Sequence, residues 1–171
     1  MSYTYAVCET PRLSIRRLEE ADALFILRLL NEPSFLENIG DRGVRSLDDA
    51  RAYLTKGPFA SYEKHGFGLF HVSLKGSGET IGMCGLLERD WLDAPDIGFA
   101  FLPEFWSKGY AYESSVGVID WARRTHGVIR VIGIVKPANM GSIRVLEKLG
   151  MRFARVVTSP EGQVSSLFVP E

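Results

Sequence analysis

The sequence has few of the residues that build metal sites or disulfide frameworks. It contains two cysteines, Cys8 and Cys84, which are far apart, and three scattered histidines in 171 residues. Zinc sites and disulfide-stabilised domains need clustered cysteine or histidine, so the sequence predicts neither. We therefore expect a metal-free protein from a reducing compartment, with a cytoplasmic location.

Long apolar runs and an excess of charge of one sign are also missing. The first ten residues, MSYTYAVCET, lack the basic start and apolar core of a secretion signal. No apolar run is long enough to cross a bilayer. The formal net charge is −1 and the pI is near 6.3, so no global basic field attracts the chain to nucleic acid. We expect neither a membrane partner nor a nucleic-acid partner.

What is present is the composition of a soluble globular domain, with 46% hydrophobic and 24% charged residues. This length suits one well-buried domain, which we place at residues 1–171, and is too short for two comfortable ones. We find no internal repeat, low-complexity tract or linker. The sequence therefore predicts one domain.

The periodicity of apolar residues predicts an α+β fold with a mixed sheet. Residues with period-two patterns or continuous apolar runs predict strands, and those with helical spacing and caps predict helices. In the stretch 31–45, which we expect to be irregular, Phe35 is predicted to be exposed. Leu24 and Leu27 are predicted to face inward from the first helix. The predicted strands are 10–18, 67–74, 80–87, 96–102, 128–135, 151–158 and 163–169, and the predicted helices are 19–30, 46–62, 110–126 and 139–149.

The most informative stretch is the strand–loop–helix over 96–127. Pro103 ends the strand, and Gly127 ends the helix behind a last turn rich in cations. Gly109 and Ala111 have almost no side chain, so the N–H groups of the first helical turn stay open to an anion. Taken alone, such a turn is more typical of close packing between strand and helix than of a phosphate site.

Two segments, FLPEFWSKGYAYE at 101–113 and NMGSIRVLEKLGM at 139–151, make the case more specific. In this order and spacing they resemble the GNAT superfamily of acyl-CoA-dependent N-acetyltransferases. The branch they resemble includes the ribosomal-protein N-terminal acetyltransferases and small-molecule relatives. The resemblance covers essentially the whole chain. It implies a mixed central sheet of about six or seven strands, splayed between the fourth and fifth and flanked by about four helices.

The resemblance also implies the cosubstrate, acetyl-CoA, and the residues that bind it. Backbone N–H groups of the turn would hold the pyrophosphate, with Lys108 adding a positive charge. Backbone groups left unpaired at the splay would bond the pantetheine arm like an extra strand, with the head of the last helix facing the arm. The cofactor residues implied in this way are Phe101, Leu102, Ser107, Lys108, Gly109, Tyr110, Ala111, Tyr112, Asn139 and Ser142.

The implied reaction is direct transfer of an acetyl group to a primary amine in a ternary complex, which needs a proton acceptor and a proton donor. Many family members use a tyrosine of the last helix as the acid. Leu146 occupies that position here, and Ser142 is the remaining candidate. For the base, Asp96 is the first candidate, because relatives often carry a glutamate there, and Glu88 is the second. The alternatives are that Asp96 caps a strand in solvent and that Glu88 pairs with Arg89 on the surface.

In the resembled family the acceptor lies among the first two helices, their connection and the last hairpin. The candidate lining residues are Phe35, Arg42, Arg45, Tyr53 and Trp91. The arginines would favour an acceptor with a carboxylate or phosphate besides its amine. We expect a small amine or a protein N-terminus, with the small amine preferred, and a homodimer stays open. The competing hypothesis is an acyl-CoA-binding module with weak or no turnover, because the tyrosine is missing.

Overall fold

The computed structural model describes residues 5–171, and its strands form two antiparallel sheets that meet along a short seam. A parallel bridge between Asp96 and Ile132 joins the sheets, which makes the whole a mixed sheet of eight strands. The first sheet runs in chain order through β1 (Ala6–Glu9), β2 (Leu13–Arg17), β3 (Leu69–Leu74), β4 (Thr80–Leu87) and β5 (Asp96–Phe101). The second has the order β6-β8-β7, formed by β6 (Gly133–Val135), β7 (Met151–Thr158) and β8 (Val164–Pro170).

Six α-helices accompany the strands within the described residues. α3 (Leu47–Leu54) continues into α4 (Ala60–His65) through a π-helical turn at Thr55–Phe59, which contains Pro58, a residue without an N–H to donate. Short 3₁₀ turns at Glu20–Asp22 and Pro103–Phe105 precede α1 (Ala23–Leu30) and follow β5. The helices are α1 (Ala23–Leu30), α2 (Pro33–Asn38), α3 (Leu47–Leu54), α4 (Ala60–His65), α5 (Tyr110–His126) and α6 (Met140–Lys148).

The first sheet carries separate apolar clusters, one of which includes the long helix. α5 contributes Val118 and Ala122 to the cluster that contains Phe70 of β3. Ile26 of α1 belongs to a second cluster, which also includes Met83 of β4. The predicted α+β fold is confirmed, and so is the splay between the fourth and fifth predicted strands, which are β5 and β6.

Two predicted strands have different bounds in the structure. The strand predicted over 10–18 starts too early, because Thr10 lies in a turn, where its N–H donates to the Leu13 carbonyl (3.0 Å). The strand before this turn, β1, was not predicted. The continuous strand predicted over 128–135 is wrong in its first half, where Ile129 is 92% exposed. The apolar run suggested a buried strand, but β5 begins only at Asp96, which faces Ile132, so the residues before Ile132 have no neighbouring strand of the first sheet to pair with.

The region around α1 corrects two predictions of burial. Leu24 is 68% exposed, since the buried face of α1 is formed by Ala23, Ile26, Leu29 and Leu30. Phe35 is 5% exposed and packs in the second apolar cluster, although the sequence predicted an exposed aromatic residue. The prediction about Phe35 is wrong because Pro33 begins a helix, α2, in a stretch that we expected to be irregular. The fixed φ of proline suits a first helical position.

Residues 5–171 contain neither a membrane-spanning helix nor a cluster of metal-binding side chains. No helix there is both long enough and apolar enough to cross a membrane. No three side chains among histidine, cysteine, aspartate and glutamate converge to hold a metal ion.

A buried polar cluster joins β3 to the start of α1. His71 is 3% exposed, and its Nε2 lies 2.9 Å from the Thr80 hydroxyl. Its Nδ1 has no hydrogen-bond partner among the described residues. Arg16 engages the nearby Asp22 carboxylate through two hydrogen bonds of 2.8 and 2.9 Å. Burial, with the Arg16 charge beside it, lowers the pKa of His71 to about 4.

This shift predicts a loss of stability in mild acid. Below pH 6.5 the unfolded chain binds a proton at His71 that the folded protein does not accept until about pH 4. The free energy of unfolding should therefore fall by about 2 kcal/mol between pH 7 and pH 5 through this residue alone. Urea denaturation of the wild type and of a His71→Gln variant at both pH values measures the effect. The variant should lose about 2 kcal/mol less, and an equal loss in both proteins would contradict the assignment.

Candidate active site

The seam between β5 and β6 opens after two backbone hydrogen bonds. Ile97 donates its N–H to the Ile132 carbonyl, and Ile132 donates to the Pro95 carbonyl, each at 2.9 Å. Backbone groups alternate sides along a strand, so those of Phe99 and Ile134 also point toward this gap. The two edges diverge there and form a wedge lined by main-chain donors and acceptors. An extended ligand arm placed in the wedge would satisfy them.

The wedge opens into a cavity of about 480 Å³, a size typical of small-molecule sites. The cavity is walled by β5, β6, the head of α6, α2, the loops that follow α2 and β4, and the turn between β7 and β8. Its polar and aromatic lining residues include Phe35, Arg42, Tyr53, Arg89, Trp91, Asp96, Lys136, Asn139, Ser142, Glu161 and Gln163. Four of these residues were not predicted to lie at the site, because in the sequence they are ordinary charged or polar loop residues, and only the fold brings them together. They are Arg89, Lys136, Glu161 and Gln163.

The segment 107–112, which we call the anion loop, starts helix α5 with open amides. Ser107 and Gly109 both have left-handed backbone, with φ values of 61° and 84°. The first helical hydrogen bond runs from Glu113 N–H to the Gly109 carbonyl (3.0 Å), so the preceding N–H groups have no place in the helical ladder. No side chain within residues 5–171 caps this helix start. The anion loop therefore has the geometry of a phosphate site.

Arg12 ties the anion loop to the turn between β1 and β2. Its Nη1 donates to the Lys108 carbonyl (2.9 Å), and its Nε donates to Glu113 Oε1 (2.7 Å). The guanidinium also lies 4.4 Å from the centre of the Tyr110 ring. Glu113 Oε2 accepts hydrogen bonds from the Thr10 hydroxyl (2.6 Å) and the Arg12 N–H (3.0 Å). Burial pushes the pKa of Glu113 up, but these bonds outweigh it and leave the pKa below its usual value.

The carboxylate of Asp96 lies in the cavity wall at the point where the seam begins to open. Asp96 is 2% exposed and accepts a hydrogen bond from Arg89 Nε (2.9 Å). Burial raises the pKa of Asp96 above its usual value, although the Arg89 cation favours the ionised form. The alternative that Asp96 caps a strand in solvent is therefore wrong. Glu88 is exposed and outside the cavity lining, and Arg89 pairs with Asp96 instead of Glu88.

The head of α6 forms another part of the cavity wall. Asn139 caps the helix, with its Oδ1 accepting the Ser142 N–H (3.3 Å), and both residues line the cavity. Leu146 also reaches the cavity lining but is buried and packs closely against β6. A Cβ added at Gly133 would lie 2.7 Å from Leu146 Cδ2, so strand and helix are in direct contact there.

Three predicted site residues have other roles in the structure. Arg45 is outside the cavity, where its guanidinium bonds Asp41 (2.6 Å), Asn31 (2.9 Å) and the Val44 carbonyl (3.1 Å). The Phe101 carbonyl accepts from Trp106 Nε1 (2.8 Å). The Leu102 N–H donates to Ile81 (2.9 Å), and its carbonyl accepts from Phe105 (2.9 Å). Leu102 therefore has no free backbone group to offer, whereas the Phe101 N–H lies on the same open edge of β5 as the backbone of Phe99.

Comparisons with known proteins agree on one family. A family model described as an acetyltransferase (GNAT) domain matches residues 12–152. The chain is 29% identical over 143 residues to the uncharacterized N-acetyltransferase YnaD of Bacillus subtilis, covering 84% of this chain and 81% of YnaD.

Solved structures share the fold. An acetyltransferase from Agrobacterium tumefaciens aligns with a TM-score of 0.81 at 22% identity, covering 100% of this chain and 98% of that one. The ribosomal alpha-N-protein acetyltransferase RimL, solved in complex with coenzyme A, aligns with a TM-score of 0.80 at 14% identity and covers 96% of each chain.

The contacts of Arg12 predict that this residue affects ligand binding although it lies away from the cavity. The Arg12→Gln substitution removes the bonds to Lys108 and Glu113, so the anion loop loses its support. The dissociation constant for coenzyme A should therefore rise about tenfold. Isothermal titration calorimetry measures it. Arg124→Gln is the matched control, because Arg124 is an exposed arginine of α5 whose one ion pair within residues 5–171 is with Asp120. Equal affinities in the two variants would show that the loop needs no support from Arg12.

Proposed function

The chain belongs to the GNAT acetyltransferase family, and from that premise we propose that it transfers an acetyl group from acetyl-CoA to a primary amine. The amine attacks the thioester directly in a ternary complex. The main support for this proposal is the arrangement of strand β5 and the helix that follows it, α5. Its strand borders an unpaired wedge, and its helix begins with uncapped amides a few residues later.

In this proposal the anion loop binds the pyrophosphate of coenzyme A through the amides of 107–112, and Lys108 adds a positive charge. The pantetheine arm lies in the wedge and bonds the backbone of Phe99 on one edge and Ile134 on the other. Its thioester then enters the cavity beside the head of α6, near Asn139 and Ser142. These positions follow from the open backbone groups and the cavity lining.

The transfer itself requires proton movement at two places. The amine attacks in its neutral form, and Asp96 takes up its proton directly or through a water molecule. A backbone N–H of the wedge stabilises the oxyanion of the tetrahedral intermediate. The C–S bond breaks as the intermediate collapses to the amide, and the thiolate takes a proton from solvent, directly or relayed by the Ser142 hydroxyl, which regains a proton from solvent. Glu88, exposed and outside the cavity lining, is the weaker candidate for the base.

The size of the cavity favours a small amine over a protein N-terminus. About 480 Å³ must hold both the thioester end and the acceptor. The test is thiol release from acetyl-CoA with a panel of small amines and with short peptides. Turnover of at least one small amine supports the proposal, and turnover of peptides alone would overturn the preference. Tight binding of acetyl-CoA without transfer to any acceptor would favour the alternative, an acyl-CoA-binding module.

The pair Asp96–Arg89 predicts a specific pH dependence. A base acts in its ionised form, so kcat/KM should fall as the pH drops through the pKa of Asp96, and burial places this limb above the usual aspartate range. Asp96→Asn should lower kcat/KM by about a hundredfold or more and remove the limb. Arg89→Gln removes the cation that favours ionisation, so the limb should move to higher pH.

Glu88→Gln is the matched control for this experiment, because Glu88 is a neighbouring carboxylate outside the cavity lining. Its acid limb should persist and move only slightly to lower pH, because the Glu88 charge is the smallest of the causes that raise the pKa of Asp96. An acid limb that persists in Asp96→Asn, or disappears in Glu88→Gln, would assign the base elsewhere.

The role of Ser142 can be separated from cofactor binding. Asn139 caps α6 through the Ser142 backbone N–H, so Ser142→Ala removes the hydroxyl and retains the cap. If the hydroxyl protonates the leaving thiolate, kcat should fall about tenfold while the dissociation constant for coenzyme A changes little. Steady-state kinetics and calorimetry give the two values, and parallel losses in both would mean a binding role.

A further inference from the structure

The two loop arginines that precede α3 differ in how far their side chains are engaged. Arg45 is held by Asp41, Asn31 and the Val44 carbonyl, outside the cavity. Arg42 lines the cavity beside Tyr53. Within residues 5–171 the Arg42 guanidinium makes no ion pair and no side-chain hydrogen bond, whereas Arg45 makes several. Arg42 is thus a cation in the cavity wall with all its donors available.

Arg89 presents further donors from the loop after β4. Its Nε is bonded to the buried Asp96 carboxylate, which orients the guanidinium in the cavity wall. Its two terminal nitrogens have no hydrogen-bond partner among the described residues. A guanidinium held at Nε, with both Nη groups free, is prepared for a planar anion.

The charged side chains that line the cavity sum to a net charge of one positive unit. Its lining contains three cations, Arg42, Arg89 and Lys136, and two carboxylates, Asp96 and Glu161. Lys136 Nζ donates to the Glu37 carbonyl (2.8 Å), which uses one of its three donors. A ligand with one negative charge neutralises this site, whereas a phosphate dianion would add charge close to two carboxylates. The balance favours a carboxylate.

Aromatic side chains also line the cavity. Phe35, Tyr53 and Trp91 lie around the same cavity as Arg42 and suit an apolar group. In an α-amino acid the amine is two bonds away from the carboxylate carbon. Arg89 and Asp96 are hydrogen-bonded to each other, so a carboxylate on the Nη groups of Arg89 would place that amine in the same part of the cavity as Asp96.

Resting on the proposed function, we infer that the acceptor is an α-amino acid with an apolar or aromatic side chain, whose carboxylate is bound by Arg42 and Arg89. Arg42 and Arg89 select the acceptor in this arrangement. Asp96 both orients Arg89 and receives the amine proton. The amine attacks the thioester carbon, coenzyme A leaves as the thiol, and the product is an N-acetylamino acid.

The kinetic test uses matched acceptors with and without a carboxylate. Phenylalanine is compared with phenylalaninamide and phenethylamine, and leucine with leucinamide and 3-methylbutylamine, all at saturating acetyl-CoA. The wild type should prefer the amino acids by about a hundredfold in kcat/KM. Arg42→Gln should reduce this preference about tenfold or more by raising KM, with little effect on the uncharged acceptors.

Two variants control for charge and folding. Arg42→Lys keeps the charge without the planar fork and should recover part of the preference. Arg51→Gln removes an exposed arginine of α3 that pairs with Asp48 and Glu20 outside the cavity, and should behave as the wild type. Equal losses in Arg42→Gln and Arg51→Gln would overturn the inference, as would a preference for phosphoethanolamine over every amino acid.

Product binding provides a readout that needs no turnover. N-acetylphenylalanine and N-phenethylacetamide are titrated by calorimetry into the protein loaded with coenzyme A. The acid should bind more tightly, and Arg42→Gln should reduce the difference about tenfold. If coenzyme A does not bind, or no amine is acetylated, the proposed function itself fails. If amines are acetylated without regard to the carboxylate and both products bind equally, the function stands and this inference fails.

Discussion

Two backbone hydrogen bonds at the seam, which connect Ile97, Ile132 and Pro95, decide how the rest of the molecule is arranged. They join the sheets at one end of β5 and leave the other end open, so main-chain donors and acceptors line a wedge inside the fold. Unpaired backbone groups are costly when buried, and here they border a cavity that a ligand can enter. A longer seam would bury the same groups in a continuous sheet and leave no site.

The second constraint is that the anion loop must stay open. Its left-handed residues and uncapped amides give it no strong internal hydrogen bonding, so its position depends on contacts from elsewhere. Arg12 and Glu113 supply them across about a hundred residues of sequence, through charge-assisted hydrogen bonds. A binding loop with free donors and an external support needs no rearrangement when its ligand arrives.

Electrostatics in the cavity centre on the buried pair Asp96–Arg89. Burial raises the pKa of Asp96 above its usual value, and the Arg89 cation opposes this rise by favouring the ionised carboxylate. The same hydrogen bond orients the free end of Arg89 in the cavity wall. One ion pair in the wall therefore links the proposed proton transfer to the proposed selection of the acceptor.

The fold was predictable from sequence where the evidence is local. Period-two and helical patterns, Gly109 before a long helix and Asn139 as a cap are set by neighbouring residues, and the structure agrees with them. Burial of Phe35, exposure of Ile129 and the exclusion of Arg45 from the cavity were not predictable, because each depends on what another element places beside that side chain. The Arg12–Glu113 and Arg89–Asp96 pairs likewise arise only on folding. The sequence by itself determined most of the elements and the anion loop, whereas the tertiary structure decided which charges face the cavity, because charge recognition depends on distances in space.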